Sequence, residues 1–411
     1  MAIIRPFNAI RPHEKVAHLV ASVPYDVVNK EESAELAKGN PLSFLRVTRS
    51  EIELDKNIDH YSKEVYEKAK ANFARLQTEA PLIQDDEPNL YIYKLTMGSH
   101  SQVGIAATFS VEDYDNDIIK KHEKTRKVKE DDRTNHIVTT EAQTGSVFLT
   151  YKAVAEIDKI VNETMKKISP IYDFTAADGI KHVVWVMPKE YVNTVVNEMA
   201  KVKSFYIADG HHRAASASRA QKVKKEQNPN HTGKEEYNYF LAVIFPADQL
   251  RIMPYNRIVS DLNGLNKDQL IKKIGENFSI EETSSPNPPE KKSFAMYIDK
   301  KWYLLKPNSN VKPGATVGDN LDVSILQDYL LQPVLGIGDP RTDTRIDFIG
   351  GIRGTNELEK LVNEGKAAVA FSLFPVTLDD LINISDAGEI MPPKSTWFEP
   401  KLRDGLLVHV I

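Results

Sequence analysis

A chain of 411 residues is long enough for two or three structural units, since domains usually run about 100–200 residues, and its 41% hydrophobic content is ample for buried cores. The formal net charge of -5 argues against sequence-blind nucleic-acid or anionic-membrane binding as the main task, because both need a basic surface. The absence of cysteine excludes disulfides, thiolate zinc sites and a cysteine nucleophile.

At the start of the chain, Arg5, Arg11, His13, Glu14 and Lys15 break up any signal-peptide apolar run. No stretch of about 18 apolar residues occurs, so neither a membrane span nor a membrane partner is expected, and the expected address is cytoplasmic. Residues 2–10 read as a strand broken by Pro6, and 30–39 as a short helix ending at Gly39 before Asn40-Pro41. Ile58, Tyr61, Val65, Ala69 and Phe73 give 57–78 a helical period. Residues 90–97 and 103–111 flank Gly98-Ser99-His100-Ser101 and predict a hairpin. The segment 120–136 is almost wholly polar, and 145–151 returns to strand character.

From residue 182 strand and helix alternate: strand 182–187, helix 191–202, strand 204–209, helix 210–227, strand 237–245. Such alternation predicts an α/β layer. Residues 283–291, rich in Pro and Ser, read as a linker or long loop. Beyond it come a second hairpin at 293–298 and 301–306, a helix at 323–335, a buried strand at 367–374 and a helix at 378–388 closed by Gly388. A soft boundary near 250–285 separates residues 1–250 from 251–411.

Four segments carry chemistry. In the first, a strand ends at Asp209, Gly210 permits a tight turn, and a helix rich in Ala214, Ala215, Ala217 and Ala220 follows. The first amides of that helix have no internal partner and, with the helix dipole, favour an anion. His211 and His212 add charge-assisted donors there, and Arg213 can grip a phosphate bidentately. A solvated basic turn is the blander alternative. The second segment, His122-Glu123-Lys124-Thr125-Arg126 with Lys129 to Arg133, mixes acids, bases and hydroxyls between apolar strands, and Thr139-Thr140-Glu141 follows. Glu123 or Glu141 could act as a general base or hold a metal beside a phosphate, and a solvated charged helix is the alternative. In the third, Asp26 of Val23-Pro24-Tyr25-Asp26 reads as a turn or capping residue. The fourth, Pro392 to Lys401, is a Pro-punctuated loop that either closes over a site or anchors the C-terminus through Trp397 and Phe398. No GxxxxGK[ST], GxGxxG or GxSxG pattern supports the common nucleotide and hydrolase scaffolds.

Taken together, PYDVV (24–28), NPLSFLRV (40–47), HEKTR (122–126), KEDDR (129–133), YIADGHHR (206–213) and MPPKSTWFEPKL (391–402) resemble domain-of-unknown-function family 1015 over nearly the whole chain. In its DGHHR segment that family is similar to the ParB/sulfiredoxin-like fold, where a GxxR turn, here Gly210 to Arg213, binds nucleotide phosphates. The resemblance implies an α+β, mixed α/β fold: a ParB/sulfiredoxin-like core over 1–250 with an additional C-terminal α/β unit over 251–411. The sulfiredoxin activity needs a cysteine that this chain lacks, and no DNA-reading helix-turn-helix is found. A free-serine-kinase branch remains. It uses a glutamate base, for which Glu31, Glu32 and Glu123 are candidates.

The expected function is therefore a nucleotide-dependent phosphotransferase acting on a small hydroxyl metabolite such as free serine, with ATP or ADP and Mg²⁺. The alternatives are a non-catalytic nucleotide or phosphometabolite sensor, and an interaction protein with an adventitious anion site. The catalytic candidates are Glu123, Asp209 and His212. The nucleotide-binding candidates are Gly210, His211, His212, Arg213, Thr125 and Arg126. No metal ligand and no nucleic-acid partner are expected.

Overall fold

Side chains that alternate along a strand build the first sheet. Phe240, Ala242 and Ile244 of Tyr239–Pro246 point to one face, as a period of two requires, and all are buried. The computed structural model describes residues 2–411. Its contacts divide the chain into two units, one comprising residues up to 121, 125–250 and 400–411, the other 122–124 and 251–399. The fold class is mixed α/β.

The first unit holds a nine-stranded sheet of β1 (Ile4–Arg5), β2 (Tyr91–Met97), β3 (His100–Ser110), β4 (Ile119–Lys120), β5 (Val147–Tyr151), β6 (Tyr172–Thr175), β7 (Lys181–Val186), β8 (Phe205–Asp209) and β9 (Tyr239–Pro246). The order is β4-β8-β5-β9-β3-β2-β7-β6, with β1 also on β3. The β4–β8 and β5–β9 pairs are parallel and the others antiparallel. Five longer helices belong to this unit: α1 (Lys63–Glu79), α2 (Lys127–Thr140), α3 (Ala155–Lys167), α4 (Lys189–Ala200) and α5 (His211–Gln227). Ile157 and Ile160 of α3, Val195 and Met199 of α4, and Ala214 and Ala217 of α5 join Phe109, Leu149 and Ile207 of the sheet in one core. A second core forms around Phe73 and Leu76 of α1, with Phe44, Val47 and Val408.

The second unit holds an antiparallel sheet of β10 (Tyr255–Val259), β11 (Phe278–Thr283), β12 (Phe294–Ile298), β13 (Lys301–Pro307), β14 (Ile346–Gly350) and β15 (Val369–Leu373), in the order β11-β13-β12-β15-β10-β14. Its longer helices are α6 (Lys267–Ile274), α7 (Gly354–Asn363) and α8 (Leu378–Asp386). Leu358 of α7 packs with Ile258, Ala370 and Tyr297 on one face of the sheet.

Several elements depart from the sequence expectation for local reasons. The strand expected over 2–10 shortens to Ile4–Arg5, followed by a single bridge from Phe7 to Asn89 and a short strand at Ile10–Pro12. The helix expected from 57 begins at Lys63, because Asp55 and Asp59 accept from the amides of Asn57 and Tyr61 in local turns that compete with helix. The helix expected at 323–335 is α-helical over Asp322–Leu326 and widens to a π-turn at Gln327–Leu331, just before Pro333. The Pro- and Ser-rich stretch 283–291 is the connection between β11 and β12 within one sheet. Residues 400–411, grouped by sequence with the C-terminal part, pack on the first unit. His409–Val410 pairs with Ala142–Gln143, and Ser22 and Asp404 exchange two backbone bonds.

Candidate functional site

The strand-to-helix turn after β8 is built by burial on either side of one glycine. Phe205 and Ile207 bury β8 in the sheet, and a bulge against β5 between Ile207 and Asp209 re-aims the strand end. Gly210 then adopts φ 93°, and a Cβ there would stand 2.9 Å from Arg213 Nε, so only glycine fits. Ala214, Ala215 and Ala217 let α5 sit close to the sheet. As N-cap, Gly210 offers its helix no side chain, so the first amides carry the positive end of the dipole.

Arg213 is buried beneath this turn. Its Nη2 donates to Asp209 at 2.6 Å and to Asp26 at 3.3 Å, its Nη1 donates to the Ser146 carbonyl, and its Nε is buried without a partner. The fork expected to grip phosphate therefore spends most of its donors on the protein. Asp209 also accepts from Lys401 Nζ at 3.2 Å. Burial works to raise the Asp209 carboxyl, but Lys401 and then Arg213 outweigh it and hold it well below the usual carboxylate range. A carboxylate held so low is a poor proton acceptor, so the expected catalytic Asp209 is an ionised anchor here. Asp404 is different: burial pushes it up to about 7 against the pull of Arg213, with Asp26 adding to the rise. Its Oδ2 is buried without a partner.

The two histidines part company. His211 is buried, and burial pushes it down to about 3, so it carries no charge at neutral pH and is not the cationic donor the sequence suggested. His212 is half-buried, and its Nε2 accepts from the Arg126 amide at 3.0 Å, which leaves the ring proton of the neutral form on Nδ1. Arg126 itself is exposed and its guanidinium makes no ion pair among the described residues. Thr125 donates to Glu130. Thus 125, 126 and 209–213 converge in one unit, through α2 packed along α5.

Behind the turn, Arg133 lies 4.3 Å from the Tyr25 ring and pairs with Asp132, which also accepts from Tyr66. Tyr25, Arg133, His136, Thr144, Gly145 and Arg213 line a cavity of about 30 Å³, room for a water molecule or two. The other carboxylate candidates each have surroundings of their own. Glu32 caps its own helix, accepting from Asn29 N at 2.9 Å, and Glu31 is exposed beside it. Glu141 pairs with Lys224 at 2.7 Å. Glu123 belongs to the second unit. Among the described residues no group of three His, Asp or Glu could hold a metal ion.

Sequence reasoning found the turn but not its partners. Asp26 and Lys401 stood in segments marked for other reasons, and Asp404 and the Ser146 carbonyl carry no motif at all.

A family model described as "Protein of unknown function (DUF1015)" matches residues 4–324. No protein of curated function matches the chain. Among solved structures, the chain is similar to a free serine kinase in complex with AMP, at 12% identity and TM-score 0.36, over 74% of this chain and 92% of that one. It is also similar to a conserved hypothetical protein from Pyrococcus furiosus (12% identity, TM-score 0.36, 75% and 95% covered). A third is SbnI with C-terminal truncation from Staphylococcus aureus (11% identity, TM-score 0.38, 74% and 87% covered). Likeness at these scores is too remote to transfer a ligand or a reaction.

Proposed function

Since the chain belongs to the DUF1015 family, whose description assigns no activity, we propose from its own geometry that the first unit binds the phosphates of a nucleotide at the first turn of α5 and transfers a phosphoryl group to a small hydroxyl metabolite, free serine among the acceptors. One observation carries the reading. The glycine-capped turn has His212 pinned by the backbone amide of Arg126, a residue whose side chain is exposed. Amides, a ring N–H and a guanidinium are the donors that phosphoryl oxygens need, and phosphoryl transfer depends mainly on positioning and charge neutralisation.

In this reading ATP or ADP is the nucleotide. Arg213 and Lys401 act from beneath, keeping Asp209 ionised and the turn rigid. Mg²⁺ arrives with the phosphates, since the described residues offer no cluster of three ligands of their own. Asp26, whose side chain is 34% exposed while it touches Arg213, is the carboxylate of this unit best placed to meet a hydroxyl. Glu123, the base expected from the sequence, is its rival.

The test is phosphoserine formation from serine with ATP and, separately, with ADP, and with a panel of other hydroxy compounds, by the unmutated protein, Asp26→Asn and Glu123→Gln. Loss of a general base should lower turnover by about 10²–10⁴ in one variant only, with nucleotide affinity kept. Saturable nucleotide binding without turnover on any acceptor would replace this reading with a sensor. No saturable binding would overturn both.

A further inference from the structure

The second unit buries an arginine that no carboxylate meets. Arg257 sits in mid-sheet on β10, in register with Phe348 of β14 and Phe371 of β15, and is only 3% exposed. It shares its face with Tyr255 and Val259, opposite Ile258, whose face α7 covers. Its Nη1 donates to the Tyr255 carbonyl and its Nη2 to the Lys394 carbonyl at 3.1 Å, and the guanidinium stands 5.2 Å from the Phe348 ring centroid. Among the described residues it makes no ion pair, and burial pushes it down to about 10. A buried cation without a counter-charge is costly to keep, and backbone carbonyls use only part of its five donors.

The loop over this arginine is the Pro-punctuated one. Ser395 Oγ donates to the Pro392 carbonyl at 2.7 Å, and Lys394, exposed at φ 57°, holds its Nζ 5.5 Å from the Tyr255 ring centroid. Trp397 stands edge-on to Tyr255 at 5.2 Å, and Gly350 admits it, since a Cβ there would lie 2.8 Å from the indole. His122 is tied to the same loop: its carbonyl accepts from Met391 N at 2.8 Å, and its Nε2 lies 3.4 Å from Thr396 Oγ1. Two segments that the sequence marked for chemistry thus meet within the second unit.

We propose that Arg257, Lys394 and the loop 392–397 form a second anion site, which takes a phosphate group, free or as a monoester. Arginine and lysine together match the charge of roughly −1.5 to −2 that a phosphate monoester carries at neutral pH, which favours phosphate over a single carboxylate. The site is independent of the nucleotide reading for the first unit.

Amide hydrogen exchange on the full chain, with inorganic phosphate and separately with O-phosphoserine, tests it region by region. Either ligand should slow exchange across 391–397. Arg257→Gln should abolish that protection, and Lys394→Gly, which relieves the left-handed backbone, should weaken the apparent affinity about ten-fold or more. Protection by one ligand alone names the source of the phosphate. Should Arg257→Gln fail to fold, Lys394→Gly decides. No protection of 391–397 by either ligand, or unchanged affinity in Lys394→Gly, would overturn the proposal.

Discussion

At the scale of single residues, three buried titratable groups set opposing pH dependences. Burial pushes His136 down to about 4 and His211 down to about 3. Their folded values lie below the ordinary 6.5, so the stability they support is present above pH 6.5 and drains away as pH falls from there. Asp404 has the opposite sign. Its folded value of about 7 lies above the ordinary 3.8, so its contribution is full below that lower value and is lost as pH rises through 7. Asp404→Asn should therefore stabilise the protein at about pH 8, by at most a few kcal/mol, and lose most of that advantage near pH 5. Urea unfolding of both proteins at the two pH values checks this. An equal difference at both would mean that Asp404 is ionised throughout. Gly210→Ala acts at the same scale: the left-handed φ and the 2.9 Å approach to Arg213 should cost about 1–2 kcal/mol or more, read as a lower urea midpoint.

At the scale of elements, turn chemistry carried much of what was legible. Gly98 takes φ 58° at the first position of the two-residue turn between Met97 and His100, as a type II′ hairpin turn asks. The β12–β13 hairpin instead forces both Asp299 and Lys300 to positive φ, 51° and 59°. Lys300→Gly should stabilise the protein by about 0.5–1 kcal/mol, because glycine meets no Cβ penalty there; an unchanged thermal midpoint would count against that strain. Where the sequence misled, a local bond had won over periodicity, as at Asp55 and Asp59 before α1. The β8–Gly210–α5 turn was legible because strand, glycine and small-residue helix are contiguous.

At the scale of the molecule, the network around Arg213 was not legible. Asp26, Ser146, Asp209 and Lys401 come from four distant stretches, and only the fold brings them together. Periodicity could not foresee that residues 400–411 would return to the first unit, because His409–Val410 is short and its partner strand lies at Ala142–Gln143. Removing 400–411 should strip Lys401 from Asp209 and take away the buried Leu402, Leu406, Leu407 and Val408, and cost at least the roughly 3–5 kcal/mol of a broken buried pair. Calorimetry should show the transition of the first unit fall while that of the second holds. A single unshifted transition would contradict the role given to Lys401.

The central claim is that the first turn of α5 receives nucleotide phosphate, and a crystal structure of the protein with ADP and Mg²⁺ tests it most directly. Phosphate oxygens should lie about 2.7–3.2 Å from the backbone nitrogens at 211–213, with the Arg126 guanidinium and His212 Nδ1 turned towards them. ADP held elsewhere at full occupancy, with those amides capped by the protein's own groups, would contradict it.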